Sequence, residues 1–70
     1  MNPVANRRIA NRLRDLRDRR RLSLAELACR VGVSRLTLRA MEAGLYTPSL
    51  TLAVRLARVL NHPVEDLFAV

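Results

Sequence analysis

Several residue types that build particular kinds of site are scarce in this chain of 70 residues. Cys29 is its one cysteine, which excludes an intrachain disulfide, and His62 is its one histidine, which leaves too few ligands for a zinc site. The sequence also has no facing pair of catalytic carboxylates and no glycine-rich phosphate loop. We therefore expect a protein that is not an enzyme and that uses no metal, cofactor or small-molecule ligand.

Long apolar runs are also lacking. The longest contain only a few residues, and the first segment, MNPVANRRIANR, has no apolar core of the kind found in signal peptides. The sequence therefore predicts neither export nor insertion into a membrane. A cytoplasmic location is favoured, and a lone cysteine fits that reducing compartment.

Positive charge and apolar side chains are abundant. Thirteen arginines, with no lysine, stand against six acidic residues and give a net charge of +7, while 50% of the residues are hydrophobic. The apolar fraction is sufficient for a folded core. The charge favours an anionic partner, and the planar arginine fork suits phosphates and guanine edges. A GC-rich genome would also favour arginine over lysine, but it would not explain the excess charge.

The periodicity of the apolar residues predicts a single all-α domain over residues 6–70, after a flexible tail over residues 1–5. The first helix is expected over about residues 6–20. A second, third and fourth helix follow, and Pro63 opens a short fifth one. The fourth helix, over residues 50–60, has few polar residues and is expected to be the most buried.

A short turn joins the second predicted helix, over residues 24–31, to the third. Ser23 and Glu26 have the spacing of a capping box, and Gly32 ends the second helix. Ser34 then caps the third helix, which ends near residue 44. Two short helices joined by a glycine-containing turn are typical of a helix-turn-helix motif.

The third helix has two unlike faces. At about 100° per residue, Leu38 and Met41 lie close together on one side and are expected in the core. The opposite side must meet solvent or a partner, and it carries Arg35, Leu36, Arg39, Ala40 and Ala43.

The segment LRDLRDRRRLSLAELACRVGVSRLTLRAMEAGLYTPSLTLAVRLARVLNHPVEDLF resembles the lambda-repressor/Cro-like helix-turn-helix family, also called the XRE family. The groups LS, ELA, GVS, PSL and EDLF follow in the family's order without gaps. The resemblance implies a compact five-helix bundle, with helices two and three as the helix-turn-helix. It also implies binding to double-stranded operator DNA and regulation of transcription at a promoter.

The resemblance assigns roles to residues by their position. The residues implied to contact bases in the major groove are Arg35, Leu36, Arg39 and Ala40. The positions implied to contact phosphates are Leu24, Ser34, Thr37, Tyr46 and Thr47. Glu42 is interpreted as a structural residue that holds the following loop or an arginine.

Leu24 and Leu36 depart from the family pattern. Many relatives have a glutamine at the position of Leu24 that supports a phosphate contact, and leucine cannot form that hydrogen bond. Many have a polar residue at Leu36, which in this chain can pack on a thymine methyl group. The alternative is that the two leucines form an apolar surface for a protein partner, as in an antitoxin-like or anti-factor module.

The end of the chain is apolar. We expect Val64, Phe68 and Val70 to form a homodimer interface, because a palindromic operator requires two recognition helices about one DNA turn apart. The alternative is that Leu67 and Phe68 close the core against the first helix. The predicted function is that of a repressor that occludes a promoter as a dimer.

Overall fold

The computed structural model of the protein describes residues 11–68, which fold into five α-helices. They are α1 (Leu13–Arg19), α2 (Leu24–Val31), α3 (Arg35–Glu42), α4 (Leu50–Leu60) and α5 (Val64–Leu67). The predicted all-α bundle of five helices is confirmed. The predicted tail over residues 1–5 lies outside the described residues. None of these helices has both the length and the apolar character needed to cross a membrane.

The core contains aliphatic side chains from all five helices. α4 lies centrally, packs against α2 and α5, and contributes the largest share of the buried residues, as predicted. No polar or charged residue between positions 11 and 68 is fully buried. The buried hydrophobic residues are Leu13, Leu16, Leu27, Ala28, Val31, Leu38, Met41, Leu52, Ala53, Leu56, Leu60 and Leu67.

The first helix begins later than the sequence predicts. Residues 6–10 lie outside the described residues, but Asn11 forms an antiparallel bridge with Phe68 and is not helical. The Arg12 amide donates to the Leu67 carbonyl at 3.0 Å, and Asn11 Oδ1 accepts from the Leu13 amide at 3.1 Å. Hydrogen bonds to a distant segment and to a local side chain thus replace the helical bonds that periodicity predicts.

Side-chain caps and a glycine shape the turn between α2 and α3. Ser23 Oγ accepts from the Glu26 amide at 3.0 Å, and Glu26 Oε1 accepts from the Ser23 amide at 2.8 Å. The hydrogen bond from the Ser23 amide lowers the pKa of the Glu26 carboxyl below its usual value. Gly32 has a φ of 79° and ends α2, and Ser34 Oγ accepts from the Thr37 amide at 3.1 Å. The predicted capping box, stop and cap are all confirmed.

An ion pair ties α1 to the end of α3. Arg17 donates from Nε to Glu42 Oε2 at 2.7 Å and from Nη2 to Glu42 Oε1 at 3.1 Å. Arg17 Nη1 also donates to the Leu22 carbonyl at 3.1 Å, in the loop before α2. The hydrogen bond with Glu42 raises the pKa of Arg17. Glu42 therefore holds an arginine, as interpreted from the sequence.

We expect Glu42→Ala to lower the free energy of unfolding by about 1.5–3 kcal/mol, the range for hydrogen bonds to charged groups. The Arg17 side chain is 14% exposed, and its charge would be left with only the exposed carboxylate of Asp18, 3.6 Å away. Arg14→Ala removes an exposed arginine from the same helix and should change stability by less than about 0.5 kcal/mol. Urea unfolding followed by circular dichroism measures both values, and equal losses would contradict this role of Glu42.

Candidate nucleic-acid interface

α3 turns one face into the core and the other into solvent. Leu38 and Met41 are fully buried, whereas Leu36 is 77% exposed. Arg35 and Arg39 are also exposed. Ala40, which the sequence places with them, is half-buried. The predicted division of this helix into a core face and an outer face is confirmed.

Two adjoining grooves run beside the outer face of α3. The α2–α3 groove has a volume of about 410 Å³ and is lined by Ser23, Leu24, Ala25, Arg35, Leu36 and Arg39. The α1–α3 groove has a volume of about 490 Å³ and is lined by Arg14, Arg17, Leu24, Arg39, Glu42 and Ala43. Because Leu24 and Arg39 line both grooves, the two form one continuous surface across α1, α2 and α3.

This surface is strongly basic. Glu42 is the one carboxylate in the two linings, and it is paired with Arg17. Within residues 11–68, the other three arginines of the linings, Arg14, Arg35 and Arg39, form no ion pair. An arginine without an internal anion keeps its donors available for phosphate or guanine oxygens.

The residues implied to contact phosphates lie at helix ends and in a loop. Ser34 Oγ, at the start of α3, donates to Thr37 Oγ1 at 3.0 Å while it caps the helix. Leu24, the first residue of α2, is half-buried and packs against the core. Tyr46 and Thr47 are exposed in the segment between α3 and α4.

The residues expected at a dimer interface have mixed environments. Val64 is half-buried at the start of α5 and lines an open groove of about 400 Å³ between α4 and α5. Phe68 follows α5 in an extended conformation and packs against the core, as the alternative in the sequence analysis has it. Val70 lies outside the described residues. The dimer interface remains a prediction.

Sequence reasoning missed the contribution of α1 to this surface. Arg14 and Arg17 line the α1–α3 groove, but neither was singled out as a binding residue. Helical periodicity places Arg14 away from the buried stripe of Leu13 and Leu16, and Arg17 at the edge of that stripe. It does not indicate which helix they face, because this depends on how α1 packs against α3.

Comparisons with known proteins agree with this architecture. A family model described as a helix-turn-helix domain matches residues 8–69. An HTH-type transcriptional regulator of Archaeoglobus fulgidus, named as uncharacterized, is 47% identical over 57 residues, which are 81% of this chain and 81% of that protein.

Two solved structures superimpose well on the chain. The restriction-modification controller protein C.AhdI of Aeromonas hydrophila has a TM-score of 0.74 and 35% identity, over 81% of this chain and 86% of its own. The Bacillus subtilis regulator SinR, solved in complex with DNA, has a TM-score of 0.70 and 31% identity, over 77% and 87% of the two chains. The chain therefore belongs to the helix-turn-helix family, and within it to the lambda-repressor/Cro-like (XRE) type.

Proposed function

We propose that this protein is a transcriptional regulator that binds double-stranded DNA in a sequence-specific way through the outer face of α3. The observation that carries the proposal is that Arg35 and Arg39 are exposed on the second helix of the motif and form no ion pair within residues 11–68. In helix-turn-helix proteins this helix enters the major groove, and the preceding helix crosses the DNA backbone. SinR, which is 31% identical to this chain, is a regulator whose structure was solved in complex with DNA, and this supports DNA as the partner.

Base recognition is assigned to four residues of α3. Arg35 and Arg39 are one helical turn apart, about 6 Å along the axis, and each can offer two donors to O6 and N7 of a guanine. Ala40 is small, so it allows the helix backbone to approach the base edges. Leu36 supplies apolar contact beside the two arginines.

Phosphate contacts would hold α3 in register on the duplex. The Ser34 and Thr37 hydroxyls lie at the start of α3, and the exposed side chains of Tyr46 and Thr47 follow its end. Leu24 has no polar side-chain group, so a contact at its position would use the backbone amides of the first turn of α2. Such contacts position the protein but carry no sequence information.

Arg39→Ala tests base recognition. A selection from random duplexes first identifies the preferred DNA, and binding is then measured by fluorescence anisotropy at one salt concentration. We expect the variant to lose about 1–3 kcal/mol of binding free energy on the preferred duplex and much less on random DNA, because a guanine contact discriminates between sequences. Arg30→Ala removes an exposed arginine that lines neither groove and should have little effect on this preference. Equal losses by Arg39→Ala on both DNAs would remove Arg39 from base recognition.

We further propose that the protein acts in the cytoplasm as a homodimer that represses transcription by occluding a promoter. A two-fold symmetric dimer would place two copies of α3 about 34–36 Å apart on a palindromic operator. The apolar side chains of Val64 and Phe68, both half-buried, support an interface near α5. Val64 is half-buried and lines an open groove, so part of its apolar surface is available to a second copy.

Val64→Asp tests the dimer. A charge in an apolar interface is costly unless it is paired, so we expect this variant to sediment as a monomer and to bind the preferred duplex more weakly. Glu65→Gln, at the exposed neighbouring position, is the control and should keep the assembly of the natural chain. A natural chain that sediments only as a monomer, both alone and with its preferred duplex, would contradict the proposal.

The alternative of an antitoxin-like or anti-factor module is not favoured. The six residues that line the α2–α3 groove include two arginines and no carboxylate, which suits a polyanion. The similar proteins carry the names of transcriptional regulators and not of enzymes, in agreement with the expectation that the chain is not an enzyme.

A further inference from the structure

The side chains of the two leucines of the α2–α3 groove cannot form hydrogen bonds with phosphates. Leu24 is half-buried and packs against the core, so it forms a fixed wall of the groove. Leu36 is 77% exposed and forms the opposite wall, on α3. Apolar surface in contact with water is unfavourable. The binding free energy of this groove is therefore most favourable for a ligand that places a small apolar group between the two leucines.

The charges around the groove restrict the ligand further. Arg35 and Arg39 line it together with the leucines, and no carboxylate does. The ligand should therefore be anionic as well as partly apolar. In the major groove of double-stranded DNA, the apolar group that a base edge presents is the methyl group on C5 of thymine. 5-Methylcytosine presents the same methyl group at the same position.

We propose that the α2–α3 groove binds the C5 methyl group of a pyrimidine that neighbours a guanine contacted by Arg35 or Arg39. This inference rests on the proposed function, because it requires α3 to lie in the major groove. Leu36 and Leu24 are then specificity-determining residues. They favour thymine over uracil, and 5-methylcytosine over cytosine, at one position of each half-site.

The dimensions of a helix and of a duplex agree with this arrangement. One turn of α-helix advances about 5.4 Å, and neighbouring base pairs are about 3.4 Å apart. Arg35, Leu36 and Arg39 lie within little more than one turn, so they span about two base steps. A guanine and a methylated pyrimidine at neighbouring base pairs are therefore close enough to be contacted from the same groove.

The experiment changes one methyl group at a time. In the duplex found by selection from random DNA, each thymine is replaced in turn by uracil, and each cytosine by 5-methylcytosine, so that base pairing is unchanged. A further arm places cytosine or 5-methylcytosine where the critical thymine lies, with guanine opposite. The full chain is titrated by fluorescence anisotropy at constant salt.

We expect the natural chain to lose about 4-fold in affinity when the methyl group is removed at the critical position of one half-site, the effect of one buried methylene-sized group. In the arm with cytosine at the critical position, replacing cytosine by 5-methylcytosine should raise the affinity by a similar factor. Leu36→Ala should abolish the difference between methylated and unmethylated DNA, and Leu24→Gln should reduce it. Leu50→Ala is the matched control, because Leu50 is also 77% exposed but lies on α4, and it should keep the full difference.

Two results would overturn the inference. One is a natural chain that prefers a particular duplex but binds every methyl-exchanged form of it equally, which leaves the proposed function intact. The other is a full methyl response that persists in Leu36→Ala. A chain with no preference for any duplex would contradict the proposed function itself, and the inference with it.

Discussion

The burial of Leu38 and Met41 fixes the orientation of α3, and the binding surface depends on that orientation. Both side chains are fully inside the core. Truncating a buried Leu or Met to Ala typically costs about 2–5 kcal/mol, which exceeds what an exposed arginine gains from any one surface contact. The helix therefore cannot rotate to hide its outer face. Arg35, Leu36 and Arg39 remain in solvent for this reason.

α3 is also held at both ends. Ser34 caps its start after the glycine turn, and at its last residue Glu42 is bound by Arg17 of α1. A helix fixed in this way loses little conformational freedom on binding, which favours affinity. The same contacts bring α1, α2 and α3 together around one basic surface. The functional surface is thus a direct product of packing and capping within the motif.

Local features were predictable from the sequence, and contacts between distant segments were not. The Ser23–Glu26 capping box and the two faces of α3 depend on residues a few positions apart, so their spacing was sufficient. The start of α1 depends on the pairing of Asn11 with Phe68. Hydrophobic periodicity carries no information on such a contact between distant segments. The place of Arg14 in the binding surface likewise follows from the packing of α1 beside α3.

A nuclear magnetic resonance titration of the isotope-labelled chain with its preferred duplex tests most directly whether α3 meets DNA through its outer face. We expect the largest shift changes at the Arg35 and Arg39 side-chain Nε–H groups and the Leu36 methyl groups, with further changes in the first turn of α2. If these groups keep their shifts and the changes concentrate on α4 and α5, binding through the outer face of α3 is contradicted.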